Sequence, residues 1–441
     1  MLRKTSPLVS LAYILSAGLV VYLAYFESRE DTWLLFGAFT LIFASIVIII
    51  RQTDEADADL GYYWGILLRL LIIASIPKLS DDVYRFIWDG RLLFNLEDPY
   101  KHLPAYFLDK GLNGIDGSLF KMLNSQAYFS VYPPFNQLFF FLSVLISPGS
   151  ITWSIIILRV IILVFEFGNI SMIRKLLRHY QLPQVYGLFY ALNPLVILEL
   201  TGNLHFEGIM IYFLLRAIWS YEQGRLNTSA AFFGLSVATK FLPLIFLPLL
   251  LRKIGFKKTV IYGSIVVLVL AITFLPLINT AHIWAIQDSM ELYFQKFEFN
   301  GSAYYLARWY GFEVEGHNII AKSGRWMMFA ALGSILLYSF IGKKKEWPQM
   351  MVWVWALYLL FATTVHPWYV IPLLAVSVFS KIRFPFLWSY LIFLTYFNYM
   401  AGEYVDRIEI VIVEYVSVAI MALVEAFAPK MDRLFVKKDL T

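Results

Sequence analysis

The stretch Ser80-Asp81-Asp82-Val83-Tyr84-Arg85-Phe86-Ile87-Trp88-Asp89-Gly90 places three carboxylates within nine residues, directly after an apolar segment that ends near Ile76. Acids at the end of a membrane-spanning segment are costly and tend to be functional. If the stretch is helical, Asp82, Arg85 or Phe86, and Asp89 share one face, and Asp81 stands four residues before Arg85. One acid can then pair with Arg85 while another stays free as a general base, a role worth about 10² to 10⁴ in rate. The structural alternative is that Ser80 or Asp81 caps the helix and Asp89 balances Arg85 and Arg91. Spacing alone leaves both readings open.

The elements that must position these acids are apolar. Of 441 residues, 60% are hydrophobic and 15% charged, and the mean hydropathy is +0.67. Soluble domains carry charges at roughly a quarter of positions. The composition therefore predicts an all-α polytopic membrane protein, with residues 1–441 forming a single integral domain. Across the bilayer only a helix or a closed barrel satisfies the backbone, and the apolar runs have helical length. The net charge of +5 comes from small Lys and Arg clusters between apolar runs, which topology explains and nucleic-acid binding does not. The absence of cysteine excludes disulfides, thiol nucleophiles and cysteine metal sites. The first run, Leu8 to Phe26, is long for a signal peptide and is read as a spanning helix.

About twelve crossings are expected, near residues 8–26, 33–50, 60–77, 151–173, 185–201, 208–222, 258–277, 325–342, 349–365, 367–380, 384–402 and 408–427. A short helical hairpin, broken around Lys240 and Pro243, fills Thr228 to Leu251. With both termini inside, the clusters at Arg3 and Lys4, Arg174 to Arg178, Arg252 to Lys258, Lys343 to Lys345, Lys381 and Arg383, and Lys430 to Lys438 all fall on the cytoplasmic side. This requires that Phe135 to Ser147, too short to cross, lie along the outer face.

The same topology gathers polar residues outside. A first outer loop, 77–150, carries the aspartates and amphipathic surface helices. A second, 278–324, carries Lys296, Arg308, His317 and Lys322. Glu199, His205, Glu207 and His366 stand at helix ends on that face. The chain has no Gly-rich nucleotide fingerprint, so a lipid-linked donor presented from the bilayer is the expected substrate. Its leaving phosphate calls for a cation, and arginine suits phosphate best. Arg308 is the first candidate, against the plainer reading of an interfacial arginine stacked on Tyr305 or Trp309. Lys296 and Lys240 are further candidates, with Lys322 and Arg325 behind them. His205 and Glu207 are expected to orient sugar, or to hold a divalent cation with Asp81 or Asp82. His366 binds substrate or belongs to an aromatic belt with Trp368 and Tyr369. Snorkelling to the nearest surface is the expectation for Arg69 and Arg216.

An ordered set of motifs resembles a known family. Ser80-Asp81-Asp82 through Asp89, Asp98-Pro99-Tyr100, Tyr132-Pro133-Pro134-Phe135, Leu192-Asn193-Pro194, Gly202-Asn203 with His205 and Glu207, and Ala238-Thr239-Lys240-Phe241-Leu242-Pro243 look like the GT-C glycosyltransferases. They are most similar to the branch holding the catalytic mannosyltransferase subunit of glycosylphosphatidylinositol synthesis and its bacterial relatives. The resemblance implies the GT-C fold and sugar transfer on the outer leaflet from a polyprenyl-phosphate sugar, with an aspartate of the first outer loop as base. Asp82 matches the second acid of the family's Asp-x-Asp pattern; the first acid falls on Ser80, and Asp81 replaces it one position later. Tyr132 and Asn203 enter as substrate-binding residues with Arg85, His205, Glu207 and His366.

The sequence thus leads to an inverting, metal-independent hexosyltransferase of the plasma (inner) membrane that moves mannose or a similar hexose to a hydroxyl acceptor, glycan or lipid. Asp82 is the expected base, with Asp81 and Asp89 positioning the acceptor or Asp82, and no cofactor is expected. A transporter or flippase of a lipid-linked saccharide is the alternative. The resemblance to the eukaryotic enzyme also brings a partner subunit into consideration.

Overall fold

The computed structural model describes residues 6–275, 297–341, 346–402 and 404–427. Lys296 and the basic residues at 3–4, 343–345 and 430–438 lie outside the described residues. Six helices among them are long and apolar enough to cross a bilayer: Pro7–Tyr25 (α1), Thr32–Gln52 (α2), Ile151–His179, Phe256–Phe274, Ile320–Ile341 and Ile408–Phe427. No strand is present among the described residues, and Phe299 and Thr364 form one isolated bridge. The fold class is all-α polytopic membrane protein.

Several expected crossings are shorter or broken. Residues 60–77 fold as the shorter Ala58–Leu71 (α3), whereas 208–222 forms whole, as Glu207–Glu222. The run 185–201 becomes Gln184–Ala191 and Pro194–Gly202, bent by 47°. Pro194 supplies no N–H, and the Asn193 side chain accepts from the Leu195 amide at 3.0 Å, so the second half restarts with its own cap. Residues 367–380 and 384–402 mix short α-helical and 3₁₀ turns, with prolines at 367, 372 and 385 near their starts.

The helices run between two polar ends. One end pairs Arg174 with Asp59, seats the Gln184 amide on Glu55 at 2.7 Å, and brings His179 to 3.5 Å from Glu222. The opposite end gathers Arg29, Asp81, Asp82, His205, Glu207, Lys240 and His366. Leu226–Thr239 lies along Glu207–Glu222 and delivers Lys240 onto Glu207, and Leu247–Ile254 returns so that Arg252 donates to the Ser339 carbonyl at 2.9 Å. The Pro134–Ile146 helix stays at the acid-bearing end. Asn136 near its start donates to the Thr239 carbonyl at 3.0 Å, and the Ser147 carbonyl at its other end accepts from Ser154 at 3.3 Å.

Asp82–Phe94 (α4) packs on that helix through its apolar face of Val83, Phe86, Ile87 and Gly90. Phe86 stacks on Phe140 with centroids 4.6 Å apart. Gly90 is required by the approach: a Cβ there would stand 2.5 Å from the Phe140 carbonyl oxygen. The acids at the start of α4 are therefore fixed from below by a dry aromatic contact.

Two buried arginines hold the broken backbone. Arg69 does not snorkel as expected. It is fully buried, pairs with Glu166 at 3.1 Å, and donates to the Ala191 carbonyl at 2.6 Å, where the bent helix ends its first half. Arg159 donates to the carbonyls of Thr201 (2.8 Å), Gly202 (3.0 Å) and Ile73 (2.7 Å). Unpaired carbonyls in hydrocarbon cost several kcal/mol each, so these guanidiniums make the break tolerable.

Candidate active site

The site starts at the first turn of α4. Asp81 stands at the N-cap, yet its carboxylate does not cap; it accepts from Arg29 at 2.8 Å, and Ser80 Oγ takes the Asp82 amide at 3.3 Å. Asp82 turns the other way. Its Oδ1 accepts from Asn124 at 2.7 Å, its Oδ2 lies 4.0 Å from His205 Nδ1, and the side chain keeps 22% of its surface exposed. A held but accessible carboxylate can take a proton from a bound hydroxyl.

Asp89 has a different fate. It is fully buried and accepts from Arg85 (2.8 Å), Ser130 (2.5 Å) and Gln137 (2.9 Å). Arg85 is itself buried and also donates to the Ser125 and Tyr128 carbonyls at 3.1 and 2.9 Å. The pairing read from spacing exists, but it ties the 125–137 loop to α4, and neither side chain faces open space. Of the two roles expected of Asp89, positioning the acceptor or positioning Asp82, these bonds fit the second: with Arg85 it holds the loop that presents Asn124 to Asp82. Tyr132 belongs to the same scaffold, its carbonyl accepting from Tyr100 at 2.5 Å and its ring meeting Phe86 edge-on at 4.9 Å.

The second wall comes from the broken helix. After the wide turn Ile197–Gly202, Leu204 adopts a left-handed φ of 66° and swings His205 back over Glu199. His205 Nε2 lies 3.4 Å from Glu199 Oε2, and Glu199 also accepts from Asn203 at 3.3 Å and from the Tyr396 hydroxyl. Asn203 accepts the Leu79 amide at 3.2 Å, joining this turn to the segment before Asp81. Asn203 thus braces this turn against the segment before Asp81.

The His205 ring stacks on Trp368 at 3.6 Å, Trp368 on His366 at 4.5 Å, and His366 on Phe299 at 4.7 Å. Four rings lead from beside the first loop's Asp82 to Phe299 in the second loop. Desolvation among these loops pushes the His366 imidazole well below its ordinary pKa, with Asp82 opposing and His205 and Lys240 adding to the shift. Lys240 pairs with Glu207 and lies 5.2 Å over the Tyr369 ring, so Glu207 faces a lysine and not the imidazole beside it in sequence. No three His, Asp or Glu side chains group as a metal-ligand set among the described residues.

Arg308, the first sequence candidate for phosphate, sits between two carboxylates. It pairs with Asp406 and lies 3.4 Å from Glu298, over Tyr305 at 5.1 Å. Reading the sequence missed Arg29 and Asn124. Arg29 had a signal: it is a basic residue in the turn between the first two spans, on the side that charge placement leaves poor in cations. Asn124 had none, since only the loop's path brings it to Asp82.

Residues 11–254 match the family model described as alpha-(1->6)-mannopyranosyltransferase, N-terminal domain. The match spans more than half of the chain. This protein belongs to the alpha-(1->6)-mannopyranosyltransferase family. It is a membrane-embedded hexosyltransferase, a mannosyltransferase of the GT-C type, as the motif order implied; the match does not favour the glycosylphosphatidylinositol branch. The matched segment of this mannosyltransferase contains Arg29, Asp81, Asp82, Asn124, His205, Glu207 and Lys240, while Phe299, Arg308, His366 and Trp368 lie beyond it. No curated protein matches the chain.

Proposed function

We propose that this mannosyltransferase moves mannose from a polyprenyl-phosphate sugar to a hydroxyl of a glycan or lipid acceptor, on the outer side of the plasma membrane, with both termini cytoplasmic. The observation that carries the reading is the Asp82 carboxylate: accessible, oriented by Asn124 and His205, and set at the polar end of an apolar helix bundle. The acceptor oxygen attacks the anomeric carbon as its proton passes to Asp82. The bond from that carbon to the phosphate oxygen breaks, and polyprenyl phosphate leaves. An α-(1→6) product, the linkage in the family's description, requires inversion if the donor is β-linked. No metal takes part, and the developing phosphate charge is met by protein cations.

The experiment is transfer by purified protein in nanodiscs, with polyprenyl-phosphate mannose and with a nucleotide-linked mannose, each with and without chelator. Product from the lipid donor alone, indifferent to chelator, supports the reading. Product from the nucleotide donor would overturn the donor and its side of the membrane, and chelator sensitivity would restore a metal. Binding of the lipid donor without transfer to any acceptor would move the reading to a flippase.

A further inference from the structure

We propose that Arg29, and not Arg308, meets the donor phosphate, and that Asp81 is the carboxylate that holds Arg29 ready for it. This rests on the lipid-phosphate donor of the preceding reading. Three described cations are candidates for that phosphate: Arg308, Lys240 and Arg29. Arg308 is bracketed by Asp406 and Glu298; Lys240, like Arg29, has one carboxylate partner (Glu207) and one ring (Tyr369) among the described residues, but its ammonium offers no planar fork. An incoming phosphate would have to compete with two carboxylates for Arg308. Among the described residues Arg29 has one carboxylate partner, Asp81, at 2.8 Å, its Nε and Nη1 make no hydrogen bond, and 29% of its side chain is exposed. Two donors of a planar fork thus remain for a phosphate oxygen, the geometry in which arginine binds phosphate best.

Its position also fits inversion. Attack and departure occur on opposite faces of the anomeric carbon, so base and phosphate-binding cation must be neighbours that face apart. Asp81 and Asp82 are consecutive; Asp82 turns to Asn124 and His205, and Asp81 turns to Arg29. The Arg29 guanidinium lies 5.0 Å over the Tyr399 ring, and the Tyr399 hydroxyl feels Arg29, Asp81 and Asp82 together. The turn that carries Arg29 is fixed by Glu27, which accepts from Tyr22 at 2.5 Å and from the Ser28 amide at 3.2 Å. When the carbon–oxygen bond breaks, the phosphate goes from diester to monoester and gains charge. Arg29 then exchanges Asp81 for the phosphate, a contact stronger in the transition state than in the bound donor.

The test compares wild type, Arg29→Gln, Arg29→Lys, Asp81→Asn, the double variant and Arg308→Gln. Two quantities are read: kcat/KM for polyprenyl-phosphate mannose, and the binding ratio of polyprenyl phosphate to neutral polyprenol in nanodiscs. Arg29→Gln should lower kcat/KM about 100-fold, as loss of one transition-state donor does, and abolish the preference for phosphate. Arg29→Lys should fall between. Asp81→Asn should strengthen phosphate binding, and that gain should vanish in the double variant. Retained preference in Arg29→Gln with loss in Arg308→Gln would overturn the assignment. So would loss of preference in both Arg29→Gln and Arg29→Lys that merely accompanies a lost melting transition. Wild type that binds polyprenyl phosphate but transfers no mannose would strike the preceding reading, while the binding ratios would still decide the role of Arg29.

Discussion

Oδ2 of Asp82 lies 4.0 Å from Nδ1 of His205, joining an acid on α4 to a ring swung into place by the left-handed turn at Leu204. The carboxylate proposed as base is thus held by Asn124, which the 125–137 loop supports, and approached by His205 from the broken helix that ends at Gly202. Its orientation is where the site is most sensitive.

Asn124→Ala removes the 2.7 Å bond to Asp82. Hydrogen bonds to charged groups contribute about 1.5–3 kcal/mol, so kcat should fall roughly 10- to 100-fold. The donor KM should stay near wild type, because Asn124 orients the base and holds no phosphate. Steady-state kinetics on both substrates checks the split.

Asp89→Ala should act on folding. It leaves Arg85 buried without its carboxylate, a loss that costs about 3–5 kcal/mol in soluble proteins. The melting temperature should drop, and the protein that remains folded should show loosened contact between the 125–137 loop and α4. Replacing Arg85 and Asp89 together by Met and Leu should recover part of the lost stability, measured by thermal unfolding in detergent.

Arg159→Met should disorganise the site from a distance. It strands the carbonyls of Thr201, Gly202 and Ile73 without touching Asp82. Expected are lower thermal stability and a fall in kcat, with greater loss than for Arg159→Lys, which can satisfy one carbonyl but cannot span three.

His366 gives a pH signature. Its folded pKa lies below the ordinary value of about 6.5, chiefly through desolvation. The unfolded chain therefore takes up a proton that the folded chain refuses, and the contribution is present above that pH and is lost as pH falls below it. Thermal melts should show wild type losing stability relative to His366→Phe as pH drops below about 6.5, with no difference in slope above it.

The side assignment can be read by labelling, since the chain has no cysteine of its own. Ser118→Cys, exposed in the first loop, should react with an impermeant maleimide applied to intact cells. Gln223→Cys, exposed at the opposite end of the bundle, should react only after the membrane is opened.

Much of this was legible in the sequence because it follows from composition and local spacing. Hydropathy gives the helical membrane class, and the i to i+4 relation of Arg85 and Asp89 gives their pair. Spacing could not say that the pair is buried, because burial comes from Ser130 and Gln137 closing over it. Arg69 was misread for the same reason: a lone arginine in an apolar run looks like a snorkelling one until Glu166 and the Ala191 carbonyl are found beside it. Arg308 drew attention as a cation on an outer loop, but Asp406, close in space and far in sequence, takes its charge. The stack of His205, Trp368, His366 and Phe299 joins three separate segments, and no periodicity marks it.

The most direct measurement of the central claim is single-turnover mannose transfer by purified Asp82→Asn, Asp81→Asn and Asp89→Asn, at saturating polyprenyl-phosphate mannose. The account predicts that Asp82→Asn binds donor and melts like wild type, but transfers about 10² to 10⁴ times more slowly. Asp81→Asn should retain much of the rate, and Asp89→Asn should lose stability before chemistry. Wild-type transfer by Asp82→Asn, or a loss confined to Asp81→Asn, would contradict Asp82 as the base.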